Sequence, residues 1–424
     1  MDLLDYLNTW QAWLRSLRFS EIAVLMWPFV LLELPRYVLF KVVMVVVDII
    51  RGEPKPTEYD HCPSVTVVLA GHNEAATAIP TIESILGTYP RLEIIIVDDG
   101  SYDGMSEAVA PYARAGRARL LRKPDRGGKS SCVNFAVAET TGDIVLVIDT
   151  DSAIEPNTIW EMVQPFADPR VGAVGGTIRI RNARRNLVTM CQAYEYVHSI
   201  FLGRQVQSRL GIMSCASGAL GAFRREAVER VGGWDVGPGE DGDLTIKVRK
   251  LGYKAVFAPY AVCNTDGPET WRSLFKQRRR WNRGLIRYKC RKHADMANPF
   301  AANFSWGNLL LLMNVWFFKI FLLLAFWVAV VCRAVTWDRE AGFFLLTMYL
   351  LYQGFELVKI AVLMYYSDRR LKDLGVCLVA PLQTIYRSWL CVARLVSITE
   401  EAFFRRSFQD NYVPPKVRAA TIHW

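Results

Sequence analysis

The fold class is indicated by the stretch SVTVVLAGHNEAATAIPTIESILGTYPRLEIIIVDDGS, residues 64–101. Two short apolar runs, 64–70 and 92–99, lie on either side of a segment, 75–87, that has a helical pattern. Both runs are apolar at successive rather than alternate positions, which is typical of strands buried on both faces of a sheet. Two such strands joined by a helix predict a parallel connection within an α/β domain.

The same alternation of strands and helices continues along the chain. DIVLVID (143–149) and VGAVGGTIRI (171–180) predict two more strands, and helical patterns cover 103–115, 130–139 and 156–166. In open sheets of this kind, ligands bind beyond the carboxyl ends of the strands. The residues that carry chemistry are therefore expected directly after each apolar run.

Acidic side chains follow three of the predicted strands. A single acidic residue at such a position is explained equally well as a cap of the following helix. Several carboxylates at one sheet edge repel each other unless a cation or hydrogen-bond donors are bound there. The set therefore favours a polar ligand together with a metal ion. Its members are Glu74, Asp98, Asp99, Asp149 and Asp151.

Asp149 and Asp151 have the D-x-D spacing, which places both carboxylates on one side of an extended segment. Hard oxygen ligands of this type suit Mg²⁺ or Mn²⁺ bridging a diphosphate. Such a metal neutralises the charge that develops on a leaving diphosphate when the bond to a sugar breaks. The pair therefore predicts a metal site for a nucleotide-sugar reaction.

A glycine-rich turn lies between these two acidic pairs. Gly127, Gly128 and Lys129 precede a predicted helix, whose N-terminus attracts anions. The glycines allow close approach and the lysine adds positive charge where a diphosphate is expected. Asp98 and Asp99 are candidates to accept hydrogen bonds from a base N–H and from ribose hydroxyls.

Two later segments are candidates for the acceptor side of the site. The stretch SCASGALGAFRRE (214–226) is small and Gly-rich, and it fits a loop beside a sugar as well as a packed strand. Glu240 and Asp241 open a predicted helix, where a carboxylate serves either as a cap or as a base. In glycosyl transfer, a positioned carboxylate removes the proton of the attacking hydroxyl.

The segment ETWRSLFKQRRRWNRGLIRYKCRKH (269–293) combines positive charge with aromatic residues. Ten Lys or Arg lie between Arg272 and Lys292, and apolar residues alternate with them at helical spacing. This pattern predicts an amphipathic helix, around 268–292, at an anionic membrane surface.

Three residues of this helix share one face. Gln277, Arg280 and Trp281 are spaced i, i+3 and i+4. An indole can stack on a sugar ring and donate its N–H, and an arginine can hold a diphosphate. The face therefore predicts contacts to both a sugar and a nucleotide.

Composition places this domain next to a membrane. Hydrophobic residues make up 52% of the 424 residues and the net charge is +10, which fits a mixture of soluble and membrane parts. Nine scattered cysteines without a C-x-x-C pair predict reduced thiols.

Three Lys or Arg in the loop 367–373 mark it as cytoplasmic. The predicted order is an amphipathic interfacial helix at 1–20, an N-terminal transmembrane helix at 21–50, a cytoplasmic catalytic domain at 51–305, C-terminal membrane helices at 307–332, 341–364 and 374–398 within 306–400, and a tail at 401–424.

In this order, the motifs resemble those of the processive family-2 glycosyltransferases, the D, D, D, Q-x-x-R-W enzymes. Cellulose, hyaluronan, poly-N-acetylglucosamine and nodulation chitin-oligosaccharide synthases belong to that family. The resemblance covers about residues 64–290 and the arrangement of the membrane segments. It implies a GT-A fold, inversion at the anomeric carbon, a UDP-sugar donor, a polysaccharide acceptor and a multi-pass protein of the bacterial inner membrane with a cytoplasmic catalytic domain.

The resemblance also implies a role for individual residues. Asp241 is the base, within a Gly-Glu-Asp motif that is closer to the chitin-oligosaccharide type than to the Thr-Glu-Asp of cellulose synthases. Asp149 and Asp151 hold the metal and UDP. The remaining candidates for substrate binding are Asp98 and Asp99 for uridine, Lys129 for the diphosphate, Gln277, Arg280 and Trp281 for the acceptor end and the diphosphate, and Glu74, Cys215, Ser217, Gly218 and Glu240 nearby.

Two other readings compete with a polysaccharide synthase. The first is a non-processive enzyme that forms a glycolipid, since some such enzymes share the Q-x-x-R-W motif. A basic membrane-peripheral protein that binds nucleic acid through 272–292 leaves the acidic strand ends unexplained, so no nucleic-acid partner is expected. Membrane lipid is an expected partner, whereas the sugar, a homo-oligomer and partner proteins for export stay open.

Overall fold

A computed structural model describes residues 2–22, 34, 38–52, 59–301, 304–325, 328, 339–410 and 412–420. The chain divides into two compact units. The larger unit comprises Pro56–Leu323 and Ser388–Trp424, and the smaller unit comprises Met1–Lys55 and Leu324–Arg387. The predicted catalytic domain therefore shares one unit with the first C-terminal apolar helix and with the segment predicted to be a tail.

An eight-stranded sheet forms the core of the described part of the larger unit. Across the sheet the strand order is β3-β2-β1-β4-β7-β6-β8-β5. In chain order the strands are β1 Val65–Gly71, β2 Leu92–Asp98, β3 Arg119–Arg122, β4 Ile144–Asp149, β5 Ala153–Ile154, β6 Val171–Ile180, β7 Leu220–Arg224 and β8 Lys254–Thr265.

Helices cover both faces of this sheet and make up the smaller unit. Those before β6 are α1 Leu3–Ser16, α2 Phe40–Arg51, α3 Ala75–Ile85, α4 Met105–Arg114, α5 Lys129–Ala138 and α6 Thr158–Val163. Those after it are α7 Leu187–Tyr196, α8 Leu202–Arg209, α9 Arg225–Arg230, α10 Glu240–Lys250, α11 Trp271–Leu285, α12 Trp306–Met313, α13 Arg339–Tyr366, α14 Arg370–Val376, α15 Gln383–Phe404 and α16 Pro415–Ala419.

Burial on both faces explains why the central strands are apolar at every position. Leu69 and Ile96 belong to the hydrophobic cluster on one face of the sheet. Val68 and Ile95, their neighbours along the strands, belong to the cluster on the other face. Successive side chains of a strand point to opposite faces, so a strand covered on both sides needs apolar residues throughout. The four strands expected from the apolar runs are confirmed.

The direction of the strands is mixed. Neighbouring strands among β1 to β4 all pair in parallel. On its other side, β4 pairs with β7, and this pair is antiparallel. Strand β7 is also antiparallel to β6, and β5 to β8. The expectation of parallel connections is therefore confirmed for β1–β4 and does not extend to β7. Two successive helices, α7 and α8, separate β6 from β7, so the regular strand–helix alternation ends there.

The stretch 214–226 contains both structures that the sequence allows. Residues 214–219 form a loop, and Leu220–Arg224 form β7 in the middle of the sheet. The buried pattern of β7 is set by its two antiparallel neighbours. The loop is thereby held at the edge of the sheet where β4 ends.

The smaller unit contains the N-terminal helix and part of the predicted membrane region. Helix α1 packs on α13, with Tyr6 on Phe343 at 5.0 Å and Trp10 Nε1 donating to Thr347 Oγ1 at 2.9 Å. Much of the predicted transmembrane helix at 21–50 lies outside the described residues, and its last part forms α2. Helix α13 carries a buried ion pair between Lys359 and Glu356.

Three helices of the described residues are long and apolar enough to cross a membrane. They are Trp306–Ala325, Ala341–Tyr366 and Arg370–Phe404. They correspond to the segments expected at 307–332, 341–364 and 374–398. The third changes to a 3₁₀ turn at Cys377–Leu382, which contains Pro381. Proline removes a backbone donor from the helix and favours such a local change in winding.

Candidate active site

The carboxyl ends of β1 and β4 border a cleft of about 980 Å³ in the larger unit. The cleft brings together residues from distant parts of the sequence. Except for Asp98, every residue predicted for the site lines it. They are Glu74, Asp99, Lys129, Asp149, Asp151, Cys215, Ser217, Gly218, Glu240, Asp241, Gln277, Arg280 and Trp281.

Asp98 is the one predicted site residue that does not line the cleft. Its side chain is fully buried, and its carboxylate accepts hydrogen bonds from the backbone N–H of Ser101, at 2.8 Å, and from the hydroxyl of Ser106. Although burial raises it, the pKa of Asp98 is lowered overall by these hydrogen bonds and by the charge of Arg122. Asp98 holds the loop between β2 and α4 and does not line the cleft, and its assignment to uridine binding stays a prediction.

Asp99 fixes the glycine-rich turn. Its two carboxylate oxygens accept hydrogen bonds from the N–H groups of Gly127 and Gly128, both at 2.7 Å. Lys123 lies 3.4 Å away from the same carboxylate. Gly128 has φ 81°, a left-handed conformation that favours glycine, and α5 begins at the next residue. The turn and the helix N-terminus therefore face the cleft in a defined position.

Three carboxylates lie close together where β1 and β4 end. The pKa of Glu74 is raised to about 7 by burial and by the charges of Asp151 and Asp149. Glu74 Oε2 is buried without a hydrogen-bond partner among the described residues. Lys129 donates to Asp149 and, at 3.0 Å, to the carbonyl oxygen of Gly218. Among the described residues, the negative charge at this point exceeds the positive charge of Lys129, which is an environment that a divalent cation would stabilise.

The donor set fits a metal that is shared with a ligand. Among the described residues, no group of three or more His, Cys, Asp or Glu side chains is arranged to hold a metal ion by itself. Mg²⁺ is usually bound by one or two carboxylates together with the phosphates of a substrate. Asp149 and Asp151 supply that number, and the turn at Gly128 lies beside them in the same cleft.

Asp241 is positioned between the 214–219 loop and the start of α10. Its Oδ2 accepts from the N–H of Gly218 at 2.9 Å and from the thiol of Cys215 at 3.4 Å, and its Oδ1 accepts from the N–H of Gly242 at 2.7 Å. The thiol is a weak donor. The neighbouring Glu240 has its pKa raised by burial and by the charge of Asp241. The carboxylate of Asp241 therefore has a fixed orientation in a strongly acidic part of the cleft.

The expected face of α11 also borders the cleft. Gln277 Oε1 is buried and has no hydrogen-bond partner among the described residues. The guanidinium of Arg278 lies 4.5 Å from the centroid of the Trp281 ring and pairs with Glu195 at 2.8 Å. This cation–π contact covers one side of the indole, which remains 42% exposed. Trp281 is thus held in one orientation with surface available to a ligand.

A C-terminal segment, residues 405–414, also contributes to the cleft, and sequence reasoning missed it. Residue 411 of this segment lies outside the described residues. Arg280 Nε lies 3.3 Å from Asp410 Oδ2, and its guanidinium lies 4.4 Å from the Tyr412 ring. Tyr412 and Val413 line the cleft, and Pro414 approaches Gly128. In the sequence, this stretch contains two aromatic residues and ends at the first of two consecutive prolines. The prediction of a tail made no use of these residues.

Comparison with known proteins identifies the family. The family model described as "Glycosyltransferase like family 2" matches residues 63–284, which is more than half of the chain. The chain belongs to glycosyltransferase family 2. The matched residues contain β1 to β8 and nearly all of α11, and therefore most of the cleft.

Two curated relatives of this family-2 chain are informative. It is 33% identical over 244 residues to a probable glycosyltransferase, YdaM, of Bacillus subtilis (strain 168). The alignment covers 55% of this chain and 58% of YdaM. It is 31% identical over 228 residues to the poly-β-1,6-N-acetyl-D-glucosamine synthase of Staphylococcus aureus (strain COL). This alignment covers 53% of this chain and 55% of the synthase. The chain thus spans somewhat more than half the length of the curated relatives it matches.

A solved structure supports the fold of this family-2 chain. The mannosyltransferase PcManGT from Pyrobaculum calidifontis, in complex with GDP-Man and Mn²⁺, matches with a TM-score of 0.55 and 21% sequence identity. The match covers 89% of this chain and 99% of that one. The GT-A fold expected from the sequence is therefore confirmed, together with helices suited to a membrane.

The basic residues around α11 form ion pairs inside the larger unit. Six of the ten cations between Arg272 and Lys292 have acidic partners. These acids neutralise much of the charge that predicts attraction to anionic lipid, so the position of this helix at a membrane surface stays a prediction. The pairs are Arg278–Glu195, Arg279–Glu400, Arg283–Glu400, Arg280–Asp410, Arg291–Glu401 and Lys292 with Asp235 and Asp243.

Proposed function

We propose that this family-2 chain is a membrane-bound inverting glycosyltransferase that adds sugar from a UDP-sugar to the growing end of a β-linked polysaccharide. Its activity is proposed to be coupled to export of the product. The observation that carries the proposal is the cleft itself, in which a carboxylate pair, an oriented acidic residue and an aromatic–basic helix face meet. Each group alone has a structural explanation, but together they match the needs of a single transfer reaction.

The donor side is proposed to be formed by Asp99, the glycine turn and the D-x-D pair. The turn presents backbone N–H groups and a helix N-terminus to a diphosphate. Lys129 and Arg280 both line the cleft and add positive charge. Mg²⁺ or Mn²⁺ held by Asp149 and Asp151 would neutralise the leaving UDP.

The acceptor side is proposed to be formed by Asp241 and Trp281. The Asp241 carboxylate takes the proton of the acceptor hydroxyl while the oxygen of that hydroxyl bonds to the anomeric carbon. At the same time the bond from that carbon to the diphosphate oxygen breaks, so the sugar is inverted and UDP carries away the electron pair. The hydrogen bonds from Gly218 and Gly242 orient the carboxylate for this transfer. The Trp281 indole supplies a surface on which the terminal sugar can stack.

The polymer and the membrane setting rest on further support. Relatives named poly-β-1,6-N-acetyl-D-glucosamine synthase match about half of this chain at about 30% identity. The three apolar helices fit a multi-pass protein. We place the catalytic cleft on the cytoplasmic side of a bacterial inner membrane, because the basic loop 367–373 favours that side.

The proposal is tested by donor use and product length. The full chain, purified in detergent, is incubated with Mg²⁺ and with UDP-N-acetylglucosamine, UDP-glucose or GDP-mannose, and nucleotide release and product size are measured. We expect UDP release with at least one UDP-sugar, together with a product of many sugars. Release of GDP but not UDP would contradict the donor assignment. A single sugar attached to lipid would replace the polysaccharide with the glycolipid alternative.

A further inference from the structure

A second cavity, of about 720 Å³, lies at the other end of the sheet from the candidate active site. Its wall includes Lys254, where β8 begins, whereas Thr265, where β8 ends, borders the active-site cleft. A strand of this length spans on the order of 35 Å. No residue borders both cavities among those that the structure describes, so the second cavity is a separate site.

The wall of this cavity is basic. It contains four cations and, within the described ranges, no Asp or Glu. Two aromatic side chains, Tyr253 and Phe304, complete the same wall. The cations are Arg209, Arg249, Lys250 and Lys254. A cavity of this kind selects an anion by charge alone.

Arg249 is the cation that most needs an anion. Its side chain is only 8% exposed, and its hydrogen bonds go to neutral groups: Nε and Nη2 to Asn308 Oδ1, at 3.0 and 2.8 Å, and Nη2 to the carbonyl of Gly211, at 2.8 Å. It forms no ion pair with any described residue. Burial lowers the pKa of Arg249 to about 10. A buried cation without a counter-charge is costly, and a ligand anion would reduce that cost.

The other cations are less buried than Arg249, and the two lysines among them form ion pairs. Lys250 pairs with Asp295 at 2.5 Å and Lys254 with Asp168 at 3.6 Å. Both acids lie outside the wall of the cavity, and ion pairs at solvent-exposed positions contribute little. Cations in the last turn of a helix also complement its carbonyl end, and both Arg249 and Lys250 lie in the last turn of α10. The partial charge of the helix end does not replace a full counter-charge, and Arg249 is the buried one of the two.

The cavity lies where the first apolar span begins. Ser305 and Asn308 are in its wall, and Ser305 caps the N-terminus of α12. Phe300 and Trp306, on either side of this wall, are 93% and 72% exposed. Exposed aromatic side chains at the end of a membrane helix lie typically at the level of the lipid headgroups. A basic cavity at this level is next to phosphate groups of lipid.

We propose that this cavity binds the phosphate of an anionic phospholipid headgroup. Arg249 contacts the phosphate from inside, and the lysines and Arg209 surround it at the rim. The proposal requires the span that begins at Trp306 to be in a membrane, but it does not require the chain to make a polysaccharide. Its failure therefore leaves the proposed function intact, and the reverse also holds.

The test measures lipid retained by the full chain in detergent, by native mass spectrometry with added phosphatidylglycerol or phosphatidylcholine. The rim variant carries Arg209→Gln, Lys250→Gln and Lys254→Gln. The control variant carries Arg114→Gln, Arg117→Gln and Arg230→Gln, which remove the same charge from exposed positions. We expect the rim variant alone to retain at least roughly fivefold less phosphatidylglycerol. An equal loss in both variants, or equal retention of phosphatidylcholine by the unaltered chain, would overturn the proposal.

Two further measurements separate the sources of phosphate and the role of Arg249. Inorganic phosphate at millimolar concentration is expected not to displace the lipid, because it lacks the acyl chains, whose burial adds to the affinity of a phospholipid. Displacement would assign the cavity to a free anion and refute a lipid site. Arg249→Gln is expected to lose phosphatidylglycerol as the rim variant does, in protein whose thermal unfolding remains cooperative. Full retention by folded Arg249→Gln protein would count against the proposal.

Discussion

Asp241 illustrates how one residue acquires a position suited to catalysis. Three donors hold its carboxylate: the backbone N–H of Gly242 in its own helix, and the backbone N–H of Gly218 and the thiol of Cys215 from a loop that is distant in the sequence. A helix cap would use the donors of its own helix only. The contact with Gly218 therefore separates Asp241 from an ordinary cap.

We expect Asp241→Asn to reduce sugar transfer by about 10²–10⁴-fold, because an amide cannot take the proton of the acceptor hydroxyl. UDP binding, measured by calorimetry, should stay within about twofold, since the amide keeps the size of the side chain. Asp60→Asn, at an exposed position, serves as the control and should retain activity. Loss of UDP binding in Asp241→Asn would make the residue part of the donor site or of the fold.

Metal dependence is expected from the carboxylate pair. EDTA should stop transfer, and Mg²⁺ or Mn²⁺ should restore it. Asp151→Asn removes one of two protein ligands and should raise the metal concentration for half-maximal activity by roughly tenfold or more. Asp266→Asn is a matched control, because Asp266 also borders the cleft but pairs with Arg181 at 2.7 Å. Turnover that is independent of metal would remove the role given to Asp149 and Asp151.

Trp281→Ala tests the acceptor surface. Loss of stacking, about 0.5–1.5 kcal/mol, should slow elongation by about two- to tenfold and leave hydrolysis of the donor nearly unchanged. Trp271→Ala is matched to it, because both indoles are 42% exposed and lie on α11. The ratio of elongation to hydrolysis should fall only in Trp281→Ala. An equal fall of both rates would argue against stacking on the acceptor.

At the scale of elements, α11 has two different functions on its two sides. One face borders the cleft with Gln277 and Trp281, and the other is bound to acids from distant segments, as in the pair of Arg283 with Glu400. The segment 405–414 also contacts the face of α11 that borders the cleft, because Asp410 pairs with Arg280. The helix is thus anchored by charge at the point where the C-terminal segment meets the cleft.

We expect Asp410→Asn to strengthen UDP binding by about two- to fivefold at low ionic strength, because the Asp410 carboxylate competes with a diphosphate for Arg280. The gain should disappear at high salt. Asp410→Glu, which keeps the charge, is the control and should bind UDP as the unaltered chain does. Weaker binding in Asp410→Asn would mean that the ion pair is needed to hold the segment against the cleft.

At the scale of the whole molecule, three long apolar helices follow the eight-stranded sheet in the sequence. We expect the chain to remain in the membrane fraction after extraction with alkaline carbonate, because such helices bury about 20 apolar residues each in hydrocarbon. Detergent should release it. Release by carbonate alone would show that the helices do not span, and that the chain is held at the surface.

The local elements of this protein could be predicted from the sequence. Runs such as 92–99 are apolar at each position, and only a strand covered on both faces requires that pattern. The acidic residues at strand ends followed from the same reasoning, since parallel strands end at one edge. Here the periodicity of the chain itself carries the information, so no tertiary contact is needed to read it.

The tertiary structure decided which of these residues face the cleft. Asp98 and Asp99 are adjacent and chemically identical, yet one carboxylate is used inside a loop and the other borders the site. The antiparallel entry of β7 and the approach of Asp410 to Arg280 likewise depend on contacts between segments far apart in the chain. Local patterns cannot encode such pairings, because burial and the choice of hydrogen-bond partner depend on how distant segments pack together.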